Sequence, residues 1–183
     1  MNRFSRSAHQ ILNRIRVAFN GVYVALIFFS MFLLVALVVV TGTHVFMRHV
    51  LNSGLRWAEE VDLILVVWFT FIAMALGVKK DLHISVNLFS RTLNPRMETV
   101  LLKLKALAVL VVALVLVLHG WKLFQTGMRS TLPATGLPAG VQHLAMPVAG
   151  LLMLYDGLMD LCGLDKGDTP LLQRFFSRPE EEA

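Results

Sequence analysis

Four apolar runs, roughly 19–47, 58–78, 100–124 and 141–164, constrain this chain more than anything else in it. Each is near the ~20 residues that carry an α-helix across a bilayer. Of the 183 residues 56% are hydrophobic and only 16% charged, so nothing remains from which to build a separate soluble domain. A membrane β-barrel would alternate apolar and polar residues. Stretches 32–40 and 106–118 are instead continuously apolar, and in hydrocarbon such runs must satisfy their backbone groups as helices. The expected fold class is therefore an all-α integral membrane protein with a four-helix transmembrane domain over 19–164. A basic segment, 1–18, precedes it and a tail, 165–183, follows.

The first run resembles a secretory signal only in its basic prelude of Arg3, Arg6, Arg14 and Arg16. It is too long and has no small-residue cleavage site, so it is expected to remain as a span. Ahead of it Ile11, Leu12, Ile15 and Phe19 recur at helical spacing with arginines between them, the pattern of an amphipathic helix on the membrane surface. Thirteen of the seventeen Lys and Arg residues fall before the first span, between the second and third, or after the fourth. By the positive-inside rule both termini are then cytoplasmic. The net charge of +5 reads as topology and contact with anionic lipid, with no call for nucleic acid. The single cysteine, Cys162, excludes an internal disulfide and matches no metal-ligand spacing.

Charged residues inside the spans are the candidates for function. In the second, the uncharged part covers only 63–78, sixteen residues or about 24 Å, short of the ~30 Å hydrocarbon core. The helix must start earlier and bring Glu59, Glu60 and Asp62 to the outer boundary. Acids in a first turn complement the helix dipole, and Arg56 stands three and four residues from Glu59 and Glu60. Alternatively Glu59 and Asp62, three apart on one face, turn from lipid toward Arg48 or a partner's cation. In the fourth run only twelve residues separate His143 from Asp156, too few to cross, so Asp156 lies within or at the inner edge of the membrane. Asp160 is one turn beyond it. Basic residues such as Lys79 and Lys103, headgroup water, or a proton or sodium ion are its possible partners. Ala145, Ala149, Gly150 and Gly157 offer a face for close helix packing, and Pro147 is placed to bend the helix.

His44, His119 and His143 all fall toward the external side, where two on facing helices would suit a b-type haem. Histidines at helix ends are also ordinary interfacial residues. Trp57, Trp68 and Trp121 read equally as interfacial belt or packing residues. A small stand-alone exporter is the third class of reading, but its transport acid should lie near midmembrane, where the first three spans have no carboxylate.

In order, Phe46 and Arg48, Trp57 with Glu59-Glu60, Trp68, the small residue Ala73, His83, Gly136-Leu137-Pro138 and Pro147 resemble the small membrane subunit of tripartite ATP-independent periplasmic (TRAP) transporters, the DctQ-like proteins. The resemblance extends from about the first span to Leu154. The family commonly has glycine at Ala73 and often an acid at Asn87. What the resemblance implies is a scaffold subunit in the bacterial inner membrane, without catalytic activity or a cofactor of its own. It would pair with a large polytopic subunit that imports an organic anion with a sodium gradient, after a periplasmic solute-binding protein has captured that anion. Arg48, Arg56, Trp57, Glu59, Glu60, Asp62, Trp68, His83 and Asp156 are then expected to make structural or subunit contacts, with Ala73, Ala145, Ala149, Gly150 and Gly157 at helix packing faces.

Overall fold

The computed structural model describes residues 3–79 and 95–161. His83 and its neighbours through Phe89, Asn87 among them, lie outside those residues, as do Cys162 and the tail 165–183. Within the described residues the elements are α1 (Arg3–Val50), α2 (Arg56–Lys79), α3 (Pro95–Gly127), the single turn α4 (Gly140–His143) and α5 (Ala145–Leu161). Four stretches are long and apolar enough to cross a membrane: Val17–Val50, Arg56–Lys79, Val100–Gly127, and Gly140–Leu161, which joins α4 to α5.

The sequence suggested a surface helix distinct from the first span, yet the backbone runs from Arg3 to Val50 without interruption. No proline breaks this stretch, and a single Gly21 or Gly42 costs a helix interior only about 1 kcal/mol. Forty-eight residues make a rod of about 72 Å, longer than the ~40–45 Å of a bilayer with its headgroups, so α1 extends beyond the membrane. It ends in a tight turn. The N–H groups of Leu51 and Ser53 both donate to Met47 O, at 3.1 and 3.2 Å, while Asn52 adopts φ 48°, a left-handed conformation that asparagine tolerates.

The helices form two antiparallel pairs, α1 with α2 and α3 with α5, joined chiefly where α2 packs on α5. Small residues set the spacing of the second pair. Ala145, Ala149, Gly150 and Gly157 are all buried. A Cβ on Gly150 would stand 3.0 Å from Ala113 O and 2.9 Å from the Val117 side chain, and one on Gly157 would stand 3.0 Å from Leu110. Ala73, by contrast, is exposed on α2, so none of the described helices covers it. The break between α4 and α5 has a local cause: Pro147 lacks the N–H that would bond to the carbonyl of His143, four residues earlier. Tyr23 and Ile27 of α1, Ile72 and Ala75 of α2, Ala113 of α3 and Leu152 of α5 belong to one core. Away from that core α1 exposes Phe28, Phe32, Val35 and Val38, and α3 exposes Leu104, Leu107, Val111 and Leu118, faces that require lipid or another protein.

Candidate functional site

From Glu59 to Lys79 is twenty residues of α2, a rise of about 30 Å, which matches the hydrocarbon core. Two polar clusters lie at the two ends of that rise.

At the first end Glu60 reaches across to the segment that joins α3 to α4. Its carboxylate accepts the backbone N–H of Ala134 and of Thr135, each at 2.8 Å, and the Thr135 hydroxyl at 2.7 Å. The segment is itself closed on its own backbone, with Leu132 N–H donating to Leu137 O at 2.8 Å and Ala139 N–H to Ser130 O at 2.9 Å. Gly136 adopts φ 69°, the left-handed turn conformation open to glycine. Glu60 thus ties the start of α2 to the tip of this loop. The i, i+4 spacing had offered Arg56 as its counter-charge, but the loop amides, which need acceptors, take the carboxylate instead.

Glu59 turns the other way. It stands 3.9 Å from His44 Nε2 and shares with His44, Arg48, Asn52 and Arg56 a groove of about 590 Å³ between the ends of α1 and α2. Arg48 and Glu59 therefore line one groove, but the contact within ion-pair reach of Glu59 is the histidine. Trp57 is half exposed beside a second groove that includes Arg56, Glu60 and Pro133. Asp62 is partly buried, and its Oδ1 is enclosed with no hydrogen-bond partner among the described residues.

Trp68 lies deeper. Its indole N–H donates to Val141 O at 3.0 Å, linking α2 to α4, and its ring meets Phe29 of α1 edge to face with centroids 6.3 Å apart. Replacing Trp68 by Phe removes the donor and keeps an aromatic ring. It is expected to cost about 1 kcal/mol, read as a lowered unfolding temperature of the detergent-solubilised chain. An unchanged temperature would show that the bond to Val141 contributes nothing.

At the other end Lys79, Tyr23 and Asp156 meet, from α2, α1 and α5. The Tyr23 hydroxyl donates to Asp156 Oδ2 and stands 3.3 Å from Leu152 O. Lys79 Nζ lies 3.8 Å from Asp156 Oδ1 and 4.9 Å from the centre of the Tyr23 ring. The side chains of Lys79 and Asp156 are wholly inaccessible. One turn away Phe19 stacks on Tyr155, ring centres 3.7 Å apart. The sequence brought out Asp156 and named Lys79 as a partner, whereas Lys103 is exposed. It missed Tyr23. A tyrosine one turn after Phe19, in a span otherwise free of titratable groups up to His44, was the available signal.

The three histidines are each engaged locally. His44 faces Glu59, His119 Nδ1 is 3.3 Å from Val115 O of its own helix, and His143 Nε2 is 3.4 Å from the amide of Gln142. Nothing in this arrangement favours a haem.

A chain of four spanning helices with its charges gathered at the two boundaries is what a membrane subunit requires, and sequence comparison decides which one. Residues 37–167 match the family model of the DctQ component of tripartite ATP-independent periplasmic transporters. The chain belongs to this family. It is similar to the sialic acid TRAP transporter small permease protein of Vibrio cholerae, 25% identical over 134 residues, 73% of this chain and 78% of that protein. It is also similar to the C4-dicarboxylate TRAP transporter small permease protein of Rhodobacter capsulatus, 29% identical over 120 residues, 64% of this chain and 53% of that one. A TRAP small permease of Haemophilus influenzae shares 27% identity over 110 residues, 60% of this chain and 68% of its own length. This small permease subunit is accordingly a multi-pass protein of the inner membrane, and its relatives are transporter subunits.

Proposed function

We propose that this small permease is the scaffold subunit of a sodium-driven secondary transporter that imports an organic carboxylate. In this reading a larger polytopic subunit carries both the substrate and the sodium sites, and a periplasmic binding protein delivers the substrate. The observation that carries the reading is the distribution of polar groups. Glu60 is engaged by a loop of the same chain, Asp156 by Lys79 and Tyr23, and the long faces of α1 and α3 between the two clusters are apolar. Among the described residues these faces offer a greasy surface to a neighbour and no polar route for an anion. Two of the relatives are named for sialic acid and for C4-dicarboxylates, both carboxylates, which supports that substrate class. The excess of Lys and Arg in the two terminal segments and the 79–105 region supports cytoplasmic termini, with the Glu60 cluster facing the periplasm.

Affinity-tagged at its native level and extracted in mild detergent, the chain is expected to come out with one much larger membrane protein in equal amount. Vesicles containing the pair and supplied with the binding protein should take up carboxylate under an inward sodium gradient. Vesicles with either membrane subunit alone should not. Recovery of the small subunit alone, or uptake by the large subunit without it, would remove the scaffold reading.

A further inference from the structure

Lys79, Tyr23 and Asp156 are not explained by subunit pairing, since they are buried within this chain. Around the Lys79 ammonium stand a carboxylate oxygen of Asp156 and the π face of Tyr23. The Tyr23 hydroxyl donates to the other oxygen of that carboxylate and stands 3.3 Å from Leu152 O. A carboxylate and an aromatic face, with the carboxylate held from its far side by a phenol, are groups that hold a monovalent cation such as a primary ammonium. We propose that this is a built cation site whose occupant is the chain's own Lys79. The tethered ammonium neutralises Asp156 and makes the site a latch among α1, α2 and α5. Its permanent occupant leaves Asp156 unavailable to a travelling ion.

The latch concerns this chain by itself and does not depend on the transporter reading, so its first test uses the full chain alone in mild detergent. Removing one member of a buried pair leaves an uncompensated charge, whereas removing both charges is far milder. Lys79→Ala is expected to reduce the folded fraction near the midpoint temperature by about tenfold or more. Either of two treatments should restore it: adding propylammonium, which refills the site, or the charge-free double variant Lys79→Met/Asp156→Asn. Tetramethylammonium, bulkier around its nitrogen than a primary ammonium, serves as the control at equal ionic strength. A stable Lys79→Ala, or a loss that neither treatment reverses, would overturn the latch. The double variant is then assembled with the large subunit. Normal uptake supports the assignment of Lys79 as the resident cation, and normal assembly without uptake overturns it, because Asp156 would then act in transport itself.

Discussion

Glu60→Lys should free the loop between α3 and α4 and lower recovery of the small subunit in complex. The wild-type carboxylate holds two amides and a hydroxyl at 2.7–2.8 Å, and lysine offers no acceptor to any of them. A cation placed against two N–H donors also repels them, so the loop should leave rather than adjust. Hydrogen exchange of the Ala134 and Thr135 amides is the direct measure, and their protection should fall several-fold. Glu60→Gln keeps one acceptor oxygen and should retain part of that protection. Glu59→Gln is the control one residue away: its side chain is 69% exposed and has only a 3.9 Å approach to His44, so it should leave the loop unchanged. If Glu60→Lys leaves both amides protected and complex recovery intact, the tie has neither the local nor the assembly role given to it.

How far the sequence disclosed these features follows from the range of each force. Four spans were legible because apolar runs of about twenty residues have one solution in lipid, and helix formation within a run needs no distant partner. Asp156 stood out because twelve residues after His143 cannot cross a bilayer, which placed a carboxylate where it needs a polar partner; Lys79 and Lys103 were both open to it, and packing selects Lys79. The partner of Glu60 was not legible. Local spacing pointed to Arg56, and the true donors are backbone amides seventy-four and seventy-five residues away, which carry no side-chain signature. Tyr23 was missed for a related reason: a single phenol in an apolar helix has no motif, and only the packing of α1 against α5 shows its use. The small residues divide instructively. Gly150 and Gly157 sit where α3 comes close, but Ala73, also small and also in a span, is open to the outside. Smallness permits a contact without choosing which helix makes it.

The same division gives the second large effect, at Gly127. A methyl there would lie 2.7 Å from Gly140 N and 2.8 Å from Gly140 Cα, both backbone atoms. Gly140 is equally closed, since its own Cβ would lie 2.8 Å from Phe124 O and 2.9 Å from Met128 N. Two glycines therefore let the end of α3 touch the start of α4 backbone to backbone, and no rotamer change can relieve an added carbon. Gly127→Ala is expected to cost about 1–3 kcal/mol, the usual range for overpacking, seen as an unfolding midpoint lower by several degrees in detergent. Gly42→Ala is the matched comparison. Nothing lies within 4 Å of its added carbon, and alanine is favoured over glycine in a helix interior, so that variant should be neutral or slightly stabilising in the isolated chain. Gly127 and Gly140 are also the two roots of the loop whose tip Glu60 holds. Spreading the roots should strain the tip, so Gly127→Ala and Glu60→Ala should together cost less than the sum of their separate effects. Strict additivity would mean that root and tip are held independently, and the loop would then have to be treated as two attachments instead of one.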